Sequence, residues 1–417
     1  MKLRLFLSLT LIAAAQAQSG PHWVATWTTA QPLIRSAPGG RGTVQALDAP
    51  QPAPSLTPQA INGRGFYDQT VRMIVHTSIG GSKVRIKLSS PFGSAPVTIG
   101  GAHIALRANG SDIAAASDHA LAFNGKPGCT IGPGMVILSD PLDFTVPSQS
   151  DLAVSLYLPA ETGPPSAHNG LHTSYVSKQG DQTGAASIAD AIPMPAYYWL
   201  AGVDVWAPAD AELIVAFGDS ITEGARSTPD TNHIWPSVLS ARLSANKKTA
   251  DFAVADMGIG GNRVLRDVSG ASALARFDRD VLSQSGVKWV MVLEGINDIG
   301  RGNAEPVTTE QLIGAFQQII ERAHTHGVKV VGCTLTPYEG AGYAREEGEA
   351  IREALNNWIR TGKAFDAVVD FEAATRDKDN PKRIRAEFDP GDHLHPNDAG
   401  YQAMGEAVDL SIFTKKR

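Results

Sequence analysis

Hydrophobic and polar residues follow two different patterns along the chain, and the pattern changes near residue 206. Before this point, from about residue 22, short apolar runs alternate with polar residues at a period of two, and Gly, Pro, Ser and Thr separate the runs. Val84, Ile86 and Leu88, for example, alternate with charged residues. Period-two alternation between turn residues is typical of strands with one buried face. We therefore predict an all-β sandwich or jelly roll for this part of the chain.

Beyond residue 208, continuous apolar runs alternate with segments of helical periodicity. Strands of a parallel sheet are buried on both faces, and helices connect them. The sequence therefore predicts a doubly wound α/β region with a parallel sheet. The predicted strands are 213–217, 252–256, 289–293, 328–334 and 368–370, and the predicted helices are 234–244, 309–326, 343–361 and 398–410.

The chain has 417 residues, more than one ordinary domain needs. Lys2 and Arg4 precede an apolar stretch at 5–15, and Ala15–Gln16–Ala17 has the small-x-small pattern of a signal-peptidase site. The stretch is too short to span a bilayer, so we expect a secreted or periplasmic protein without stable membrane insertion. The predicted organisation is a signal peptide at 1–17, an all-β accessory domain at 18–205 and an α/β domain at 206–417.

The formal net charge is −6, and the one basic run is the tail at 415–417. Nucleic acids and anionic membranes bind basic patches, so neither is expected as a partner. Cys129 and Cys333 lack the spacing of a metal or redox motif. We expect no disulfide between them, because Cys333 lies in an apolar run and the two fall in different predicted domains. The sequence does not determine the oligomeric state.

An apolar run ends at Ser220 within the sequence Val-Ala-Phe-Gly-Asp-Ser-Ile-Thr-Glu-Gly, residues 215–224. The pattern predicts a buried strand that is followed at the serine by a helix. Unpaired N–H groups and the helix dipole both stabilise an anion at a helix N-terminus. Ser and Asp also cap helices that have no catalytic role, so this motif alone does not establish a nucleophile.

Three later blocks change this interpretation, because each follows a predicted strand: 257–262, 293–298 and 391–396. The carboxyl ends of parallel strands lie at one edge of a sheet, where loops form a crevice. We therefore expect the chemical groups of these blocks to lie near Ser220. The residues concerned are Gly260, Gly261, Asn297, Asp392 and His395.

The serine, histidine and aspartate fit acyl transfer. His395 can remove the proton of Ser220, and Asp392 can hold the other ring nitrogen. His393 and His395 with Asp392 would make a poor metal site, since the i, i+2 pair lacks a further ligand cluster. A metal site is therefore the minor interpretation of these residues.

The other groups can bind the negative charge that forms on the carbonyl oxygen during attack. The candidate donors of this oxyanion hole are the backbone N–H groups of Ser220 and Gly261 and the side-chain amide of Asn297. Gly260 is the alternative to Gly261 as the glycine donor.

Residues of about 212–412 resemble the SGNH hydrolase superfamily, the GDSL-type esterases and lipases. The four letters stand for the catalytic Ser, the Gly and Asn of the oxyanion hole, and the catalytic His. Gly218–Asp219–Ser220 matches the first block, with Ile221 where leucine is usual. The matches to the other blocks are 258–261, 295–298, which has Ile296 where glycine is frequent, and 392–395. The N-terminal half resembles the accessory domain of a bacterial subgroup.

The resemblance implies a three-layer α/β/α, flavodoxin-like domain with a parallel sheet, no cofactor, and hydrolysis of esters. Within the superfamily, we expect an exported serine esterase that acts on small O-acyl esters, such as acetyl groups of a glycan. A lysophospholipase or arylesterase, and a glycan-binding protein without activity, are the alternatives.

Two aromatic residues and a group of polar ones bear on the substrate. Trp23 and Trp27 are four residues apart in a predicted strand, which puts both rings on one face. They either pack in the core or form a platform for a sugar ring. Near Gly170, we predict a loop that approaches the site. It contains His168, His172 and Tyr175. Loop residues Arg226, His233 and Glu339 are further candidates for the substrate pocket.

Overall fold

Two antiparallel sheets precede one parallel sheet in the computed structural model, which describes residues 20–32, 64–300 and 306–414. The antiparallel strands of these residues are β1 (His22–Thr28), β2 (Gln69–His76), β3 (Gly81–Ser89), β4 (Val97–Ile99), β5 (Gly101–Asn109), β6 (Asp112–Ile113), β7 (His119–Ala120), β8 (Cys129–Ile131), β9 (Val136–Leu138), β10 (Leu142–Val146), β11 (Asp151–Leu158), β12 (Ala167–Val176), β13 (Ile192–Tyr198) and β14 (Leu200–Ala207).

The two main antiparallel sheets of the described residues share one apolar core. One has the order β1-β14-β3-β10, with β9 also paired to β3, and the other has the order β13-β12-β2-β11-β5-β6, with β7 beside β5. Strands β4 and β8 form a separate pair. Val84, Ile86 and Leu88 are fully buried, while the charged residues between them are partly exposed. The prediction of a β-rich first part is therefore confirmed.

The prediction of a loop around Gly170 is wrong, because this segment is strand β12, which contains His168, His172 and Tyr175. Its pairing with β13 shifts register between Asn169 and Ser174. Such an irregularity lets a strand continue past a residue that breaks its alternation. Gly170 therefore lies at a register shift within β12 and does not end the strand.

The two tryptophans of β1 contact different neighbours. Trp23 packs edge-on against Trp206 at 5.2 Å, and Trp27 packs edge-on against Tyr197 at 4.8 Å. The pairing of β1 with β14 shifts register between Ala25 and Trp27. This shift interrupts the regular alternation on which the expectation of a shared face depended.

The second region contains a parallel sheet with the order β16-β15-β17-β18-β19. All five predicted strands are confirmed, with ends that differ by at most about two residues. Their bounds are β15 (Glu212–Gly218), β16 (Phe252–Gly258), β17 (Val287–Leu293), β18 (Lys329–Cys333) and β19 (Ala367–Val369).

The predicted helices are confirmed as well, and short helices follow several strands. The α-helices described from Ser220 onward are α1 (Ser220–Glu223), α2 (Trp235–Ala245), α3 (Ala273–Phe277), α4 (Ile296–Gly300), α5 (Thr309–Thr325), α6 (Glu346–Thr361), α7 (Phe371–Thr375) and α8 (Asp398–Ala407). Helix α6 begins three residues later than predicted, because Arg345 has extended backbone angles and forms its N-cap. Helix α2 packs on α8 and β16, and α5 packs on α6 and β18.

The β-rich region packs directly on the parallel sheet through β1. The amide of Ala25 donates to the carbonyl of Ser285, and the hydroxyl of Thr28 donates to the carbonyl of Asp256. The change from antiparallel to parallel strands falls between Ala207 and Glu212. The apolar core runs without interruption from one region to the other.

Several sequence predictions fall outside the described residues, namely the signal peptide at 1–17 and the basic tail at 415–417. Among the helices that the structure does describe, none combines the length and the apolar character required to cross a membrane. Cys129 and Cys333 are both free thiols.

Candidate active site

Ser220 is the first residue of α1 and directly follows the turn at the end of β15. Asp219 is the N-cap, and its Oδ1 accepts the N–H of Ile221 at 2.9 Å. A Cβ at Gly218 would lie 2.6 Å from the carbonyl oxygen of Leu293, so a larger residue would not fit in this turn. The sequence therefore places the serine at a helix N-terminus, where its side chain is only 8% exposed.

Ser220, His395 and Asp392 form a continuous chain of contacts. The Oγ of Ser220 lies 2.8 Å from Nε2 of His395, and Nδ1 of His395 lies 2.9 Å from Oδ2 of Asp392. An imidazole held in this way can accept a proton from the serine while the carboxylate stabilises the charged ring. The structure thus brings together residues that are 175 positions apart in sequence.

Asp392 is held in its ionised form. Burial favours its neutral form, but hydrogen bonds from the amide and ring of His395, from Arg226 and from the amide of Leu394 lower its pKa well below the usual range. Its Oδ1 accepts the amides of Leu394 and His395 at 3.1 and 3.0 Å. The carboxylate is therefore fixed in position as well as in charge.

The second predicted histidine is turned away from this chain. His393 contacts Asp389 through Nδ1 and has a left-handed backbone, with φ of +59°. His395 contacts Asp392 instead. No group of three or more metal-binding side chains occurs among residues 20–32, 64–300 and 306–414.

The loop after β16, residues 258–262, contains both candidate glycine donors. Gly261 has a φ of +74°, a conformation that favours glycine. Among the described residues, its N–H has no acceptor. Three other N–H groups of the loop have acceptors: Gly258 donates to Asp256, Ile259 to Gly218 and Asn262 to Ile259. The carboxylate of Glu223 lies against Gly260.

Asn297 lies in α4, directly beyond β17, and is 2% exposed. Its Nδ2 donates to Oδ2 of Asp219 at 3.4 Å, and its Oδ1 accepts the hydroxyl of Tyr343 at the same distance. Burial raises the pKa of Asp219 to about 7. The amide therefore lies beside the residue that precedes Ser220.

A buried arginine joins the ends of three strands beneath the site, and sequence reasoning missed it. Arg276, 1% exposed, donates to the carbonyl oxygens of Gly218 and Met257, each at 2.8 Å. It also contacts the carboxylates of Asp280 and Glu294, each at 3.1 Å. Burial of a guanidinium requires such partners. Glu294, an acidic residue at the end of an apolar strand, was the sequence signal for a buried cation.

The further candidates for the pocket have separate partners. Arg226 donates to Asp392, and Nδ1 of His233 lies 3.2 Å from Asp398. Glu339 accepts from Arg383 and Asn380. Of these three, Arg226 alone contacts a member of the Ser-His-Asp chain.

Three residues of β12 contribute differently. His168 lies 3.2 Å from Glu223, in the same short helix as Ser220. His172 contacts Asn232 at 2.8 Å, in the loop after that helix. Tyr175 packs on a small apolar cluster within the β-rich region. A cavity of about 90 Å³ lies where the two regions meet, and Trp27 and His168 line it.

The part of the chain that contains this site is similar to a known protein family. Residues 216–403 match the model of the GDSL-like lipase/acylhydrolase family. This match covers the end of β15, the strands β16 to β19 and the predicted catalytic and oxyanion residues, and it leaves the β-rich region outside. No curated protein matches the chain.

Several solved structures are similar to part of the chain. A protein of the G-D-S-L lipolytic family from Desulfitobacterium hafniense is 22% identical, over 47% of this chain and 96% of that one, with a TM-score of 0.37. A variant of an acetylxylan esterase from Geobacillus stearothermophilus is 21% identical, over 49% and 95%, with a TM-score of 0.39. A GDSL-like lipase from Bacteroides thetaiotaomicron is 20% identical, over 48% and 87%, with a TM-score of 0.37.

Proposed function

Because the chain belongs, through residues 216–403, to the GDSL-like lipase/acylhydrolase family and is a carboxylic ester hydrolase of the SGNH superfamily, we propose that Ser220, His395 and Asp392 are its catalytic triad. The observation that carries this proposal is the 2.8 Å contact between Oγ of Ser220 and Nε2 of His395. The contact of His395 with the ionised Asp392 supports the same assignment.

The reaction then has two steps that use the same base. As Oγ of Ser220 bonds to the acyl carbon, His395 takes the hydroxyl proton and returns it to the departing alkoxide when the ester C–O bond breaks. Water next attacks the acyl-enzyme while His395 takes one of its protons. When the bond from the acyl carbon to Oγ breaks, that proton returns to Ser220, and the carboxylic acid leaves.

The proposed oxyanion hole consists of the N–H groups of Ser220 and Gly261 and the side-chain amide of Asn297. Gly261 is preferred to Gly260 because the carboxylate of Glu223 already lies against Gly260. The position of Ser220 at a helix N-terminus and the contact of Asn297 with Asp219 support the other two donors. Each donor contributes typically about 10²–10³ in rate.

We assign as substrate a small O-acyl ester, with acetyl as the acyl group and a carbohydrate as the alcohol. A lipase needs an apolar surface near its nucleophile, but the side chains around Asp392 are polar: Arg226 and His393 are exposed there. The large apolar side chains that are exposed among the described residues are Tyr67, Phe92, Met135, Val136, Leu138, Val268 and Val368. Of these, Val268 alone lies in the loop after Gly261.

The proposal includes three further features implied by the superfamily. Helices would cover both faces of the parallel sheet, with α2 and α8 on one face and α5 and α6 on the other. The β-rich region would be a sandwich or jelly roll, and the chain would be exported after removal of residues 1–17. The N-terminal sequence of protein recovered outside the cytoplasm tests export, and cleavage at another position would contradict the predicted site.

Covalent labelling with a fluorophosphonate, followed by peptide mapping, tests the nucleophile. We expect the label on Ser220 and no labelling of Ser220→Ala. Ser220→Ala and His395→Ala should each reduce kcat by several orders of magnitude, as in other coupled triads, without a large change in Tm. Turnover that persists in purified Ser220→Ala would reject the proposed nucleophile.

The substrate assignment needs a separate experiment. We expect hydrolysis of p-nitrophenyl esters to be fastest for acetate and to decline as the acyl chain lengthens. Acetylated oligosaccharides should be deacetylated faster than a lysophospholipid is hydrolysed at the same concentration. A maximum at long chains or a preference for lysophospholipid would overturn the assignment and leave the triad in place. Dialysis against a chelator should not change the rate.

A further inference from the structure

Glu223 connects the nucleophile helix to the loop that carries the proposed oxyanion donor. It is the last residue of α1, the helix that begins at Ser220, and its side chain is 13% exposed. The backbone of Gly260 lowers the pKa of this carboxylate, against the effect of burial. A Cβ at Gly260 would lie 2.6 Å from Oε2 of Glu223, so the loop lies directly against the carboxylate.

The β-rich region reaches the same carboxylate through one side chain. His168 of β12 is 7% exposed, and its Nε2 lies 3.2 Å from Oε1 of Glu223. Its Nδ1 is buried and has no hydrogen-bond partner among the described residues. The β-rich region therefore contacts the glutamate through Nε2 of this ring.

The contact between these residues is not an ordinary ion pair. Burial raises the pKa of Glu223 to about 7 and lowers that of His168 to about 4. The imidazole is therefore neutral at neutral pH. Its 3.2 Å contact with Glu223 therefore does not depend on a charged imidazole, and glutamine at position 223 keeps the size and an oxygen of the side chain.

A loop with two successive glycines needs external restraints to keep one geometry, because glycine has the widest choice of backbone angles. Gly260 and Gly261 form such a pair, and Gly261 has the left-handed φ of +74°. The contact of the Glu223 carboxylate restrains Gly260, whose carbonyl belongs to the same peptide unit as the N–H of Gly261. Loss of this contact would let the proposed donor move relative to Ser220.

We infer that Glu223 and His168 are positioning residues, through which the β-rich region holds Gly261 in the geometry of the oxyanion hole. The inference rests on the proposed function, and it gives the β-rich region a role in catalysis that does not depend on substrate binding. Neither residue needs to touch the reacting atoms. Their effect is exerted through the loop at 258–262.

Steady-state kinetics of Glu223→Ala, Glu223→Gln and His168→Ala on p-nitrophenyl acetate test this inference. Because one misplaced oxyanion donor affects the transition state more than bound substrate, we expect Glu223→Ala to lower kcat by about 10- to 100-fold. We expect KM to change by less than about twofold, since ground-state binding is largely retained. Glu223→Gln should recover most of kcat. His168→Ala should lower kcat less, by about 3- to 10-fold, because the carboxylate of Glu223 still lies against Gly260.

Two further measurements separate positioning from a general loss of structure. The rate of phosphonylation by a fluorophosphonate should fall in parallel with kcat, because that reaction uses the same oxyanion donors. In the double variant of Glu223→Ala and His168→Ala, kcat should be no lower than in Glu223→Ala alone, since both changes act through one contact.

The matched control is Gln149→Ala, which removes a 2.8 Å hydrogen bond between the same two regions, from Gln149 to Ser240, away from the oxyanion loop. We expect this variant to keep kcat even where its Tm falls. Wild-type kcat in Glu223→Ala, a loss in Gln149→Ala as large as in Glu223→Ala, or no recovery in Glu223→Gln would overturn the inference. Failure of the proposed function would instead appear as turnover in Ser220→Ala.

Discussion

Arg226 and His395 share one acceptor atom, because Nε of Arg226 and Nδ1 of His395 each lie 2.9 Å from Oδ2 of Asp392. The arginine has a left-handed backbone, with φ of +72°, and a largely exposed side chain. It is held beside Asp392 by its own loop, in which Thr228 bonds to Asp398. The carboxylate thus has an external cation on one side and the imidazole on the other.

Substitution of Arg226 tests the contribution of this cation. We expect Arg226→Gln to reduce kcat/KM by about 3- to 10-fold, because an exposed ion pair contributes little and the amides of Leu394 and His395 still hold Asp392. Arg226→Lys is the matched control for charge, and it should retain more activity. A loss of a thousandfold in Arg226→Gln would show that the guanidinium contacts the reacting groups and does more than support Asp392.

Asn297 is the side-chain donor of the proposed oxyanion hole. Asn297→Ala should lower kcat by about 10²–10³ with a small change in KM, because the lost hydrogen bond forms fully only in the transition state. Kinetics on p-nitrophenyl acetate measure the change. Thr336→Val, in a buried residue that belongs to neither the triad nor the proposed hole, is the control and should keep kcat. An unchanged kcat in Asn297→Ala would remove this residue from the hole.

The parallel sheet and the order of the site residues could be predicted from sequence, because both depend on local patterns. Apolar runs define each strand, and turn residues such as Gly218 and Gly261 mark where the chain leaves the sheet. Topology then places the ends of parallel strands together without knowledge of any side-chain contact. The contact between Ser220 and His395 follows from that rule.

The contacts of His168 and Arg276 could not be predicted in the same way. Nothing near His168 in sequence indicates a partner, because Glu223 lies in another region of the chain and the contact exists only after β12 packs on α1. Arg276 lies in a short helix, where a charged residue is normally solvated. Its burial depends on the carbonyl groups at the ends of two strands and on two carboxylates, of which only Glu294 gives a signal in the sequence.

Asp256 gives a prediction for stability as a function of pH. Burial raises its pKa to about 8, and the hydrogen bond from Gly258 opposes this shift only in part. Between about pH 4 and 8, the folded protein therefore keeps a proton that the unfolded chain has lost. The contribution of Asp256 to the free energy of unfolding is complete below the pKa that this residue has in the unfolded chain. It decreases as pH rises toward 8.

Asp256→Asn removes this titration and keeps an acceptor for the N–H of Gly258. We expect a Tm close to that of the wild type at pH 5 and about 2–5 °C higher at pH 8. Thermal unfolding at both values measures the difference, with pH 5 as the internal control. A Tm difference that stays the same at both pH values would show that Asp256 does not titrate in this range. Glu223 still titrates in Asp256→Asn, because burial raises its pKa to about 7. Part of the wild-type decline in Tm between pH 5 and 8 should therefore remain in this variant.

Arg276 stabilises the ends of the central strands, so its removal should affect the fold more than any exposed arginine does. Arg276→Met leaves the carboxylates of Asp280 and Glu294 buried without their cation, which typically costs about 3–5 kcal/mol in the free energy of unfolding. Urea denaturation measures this change. Arg242→Met is the control. Arg242 donates to the carbonyl oxygens of Gly405 and Val408, so its replacement leaves no carboxylate without a cation in these contacts. We expect Arg242→Met to lower the free energy of unfolding by about 1 kcal/mol. Equal losses in the two variants would show that the buried charges beneath Ser220 do not depend on Arg276.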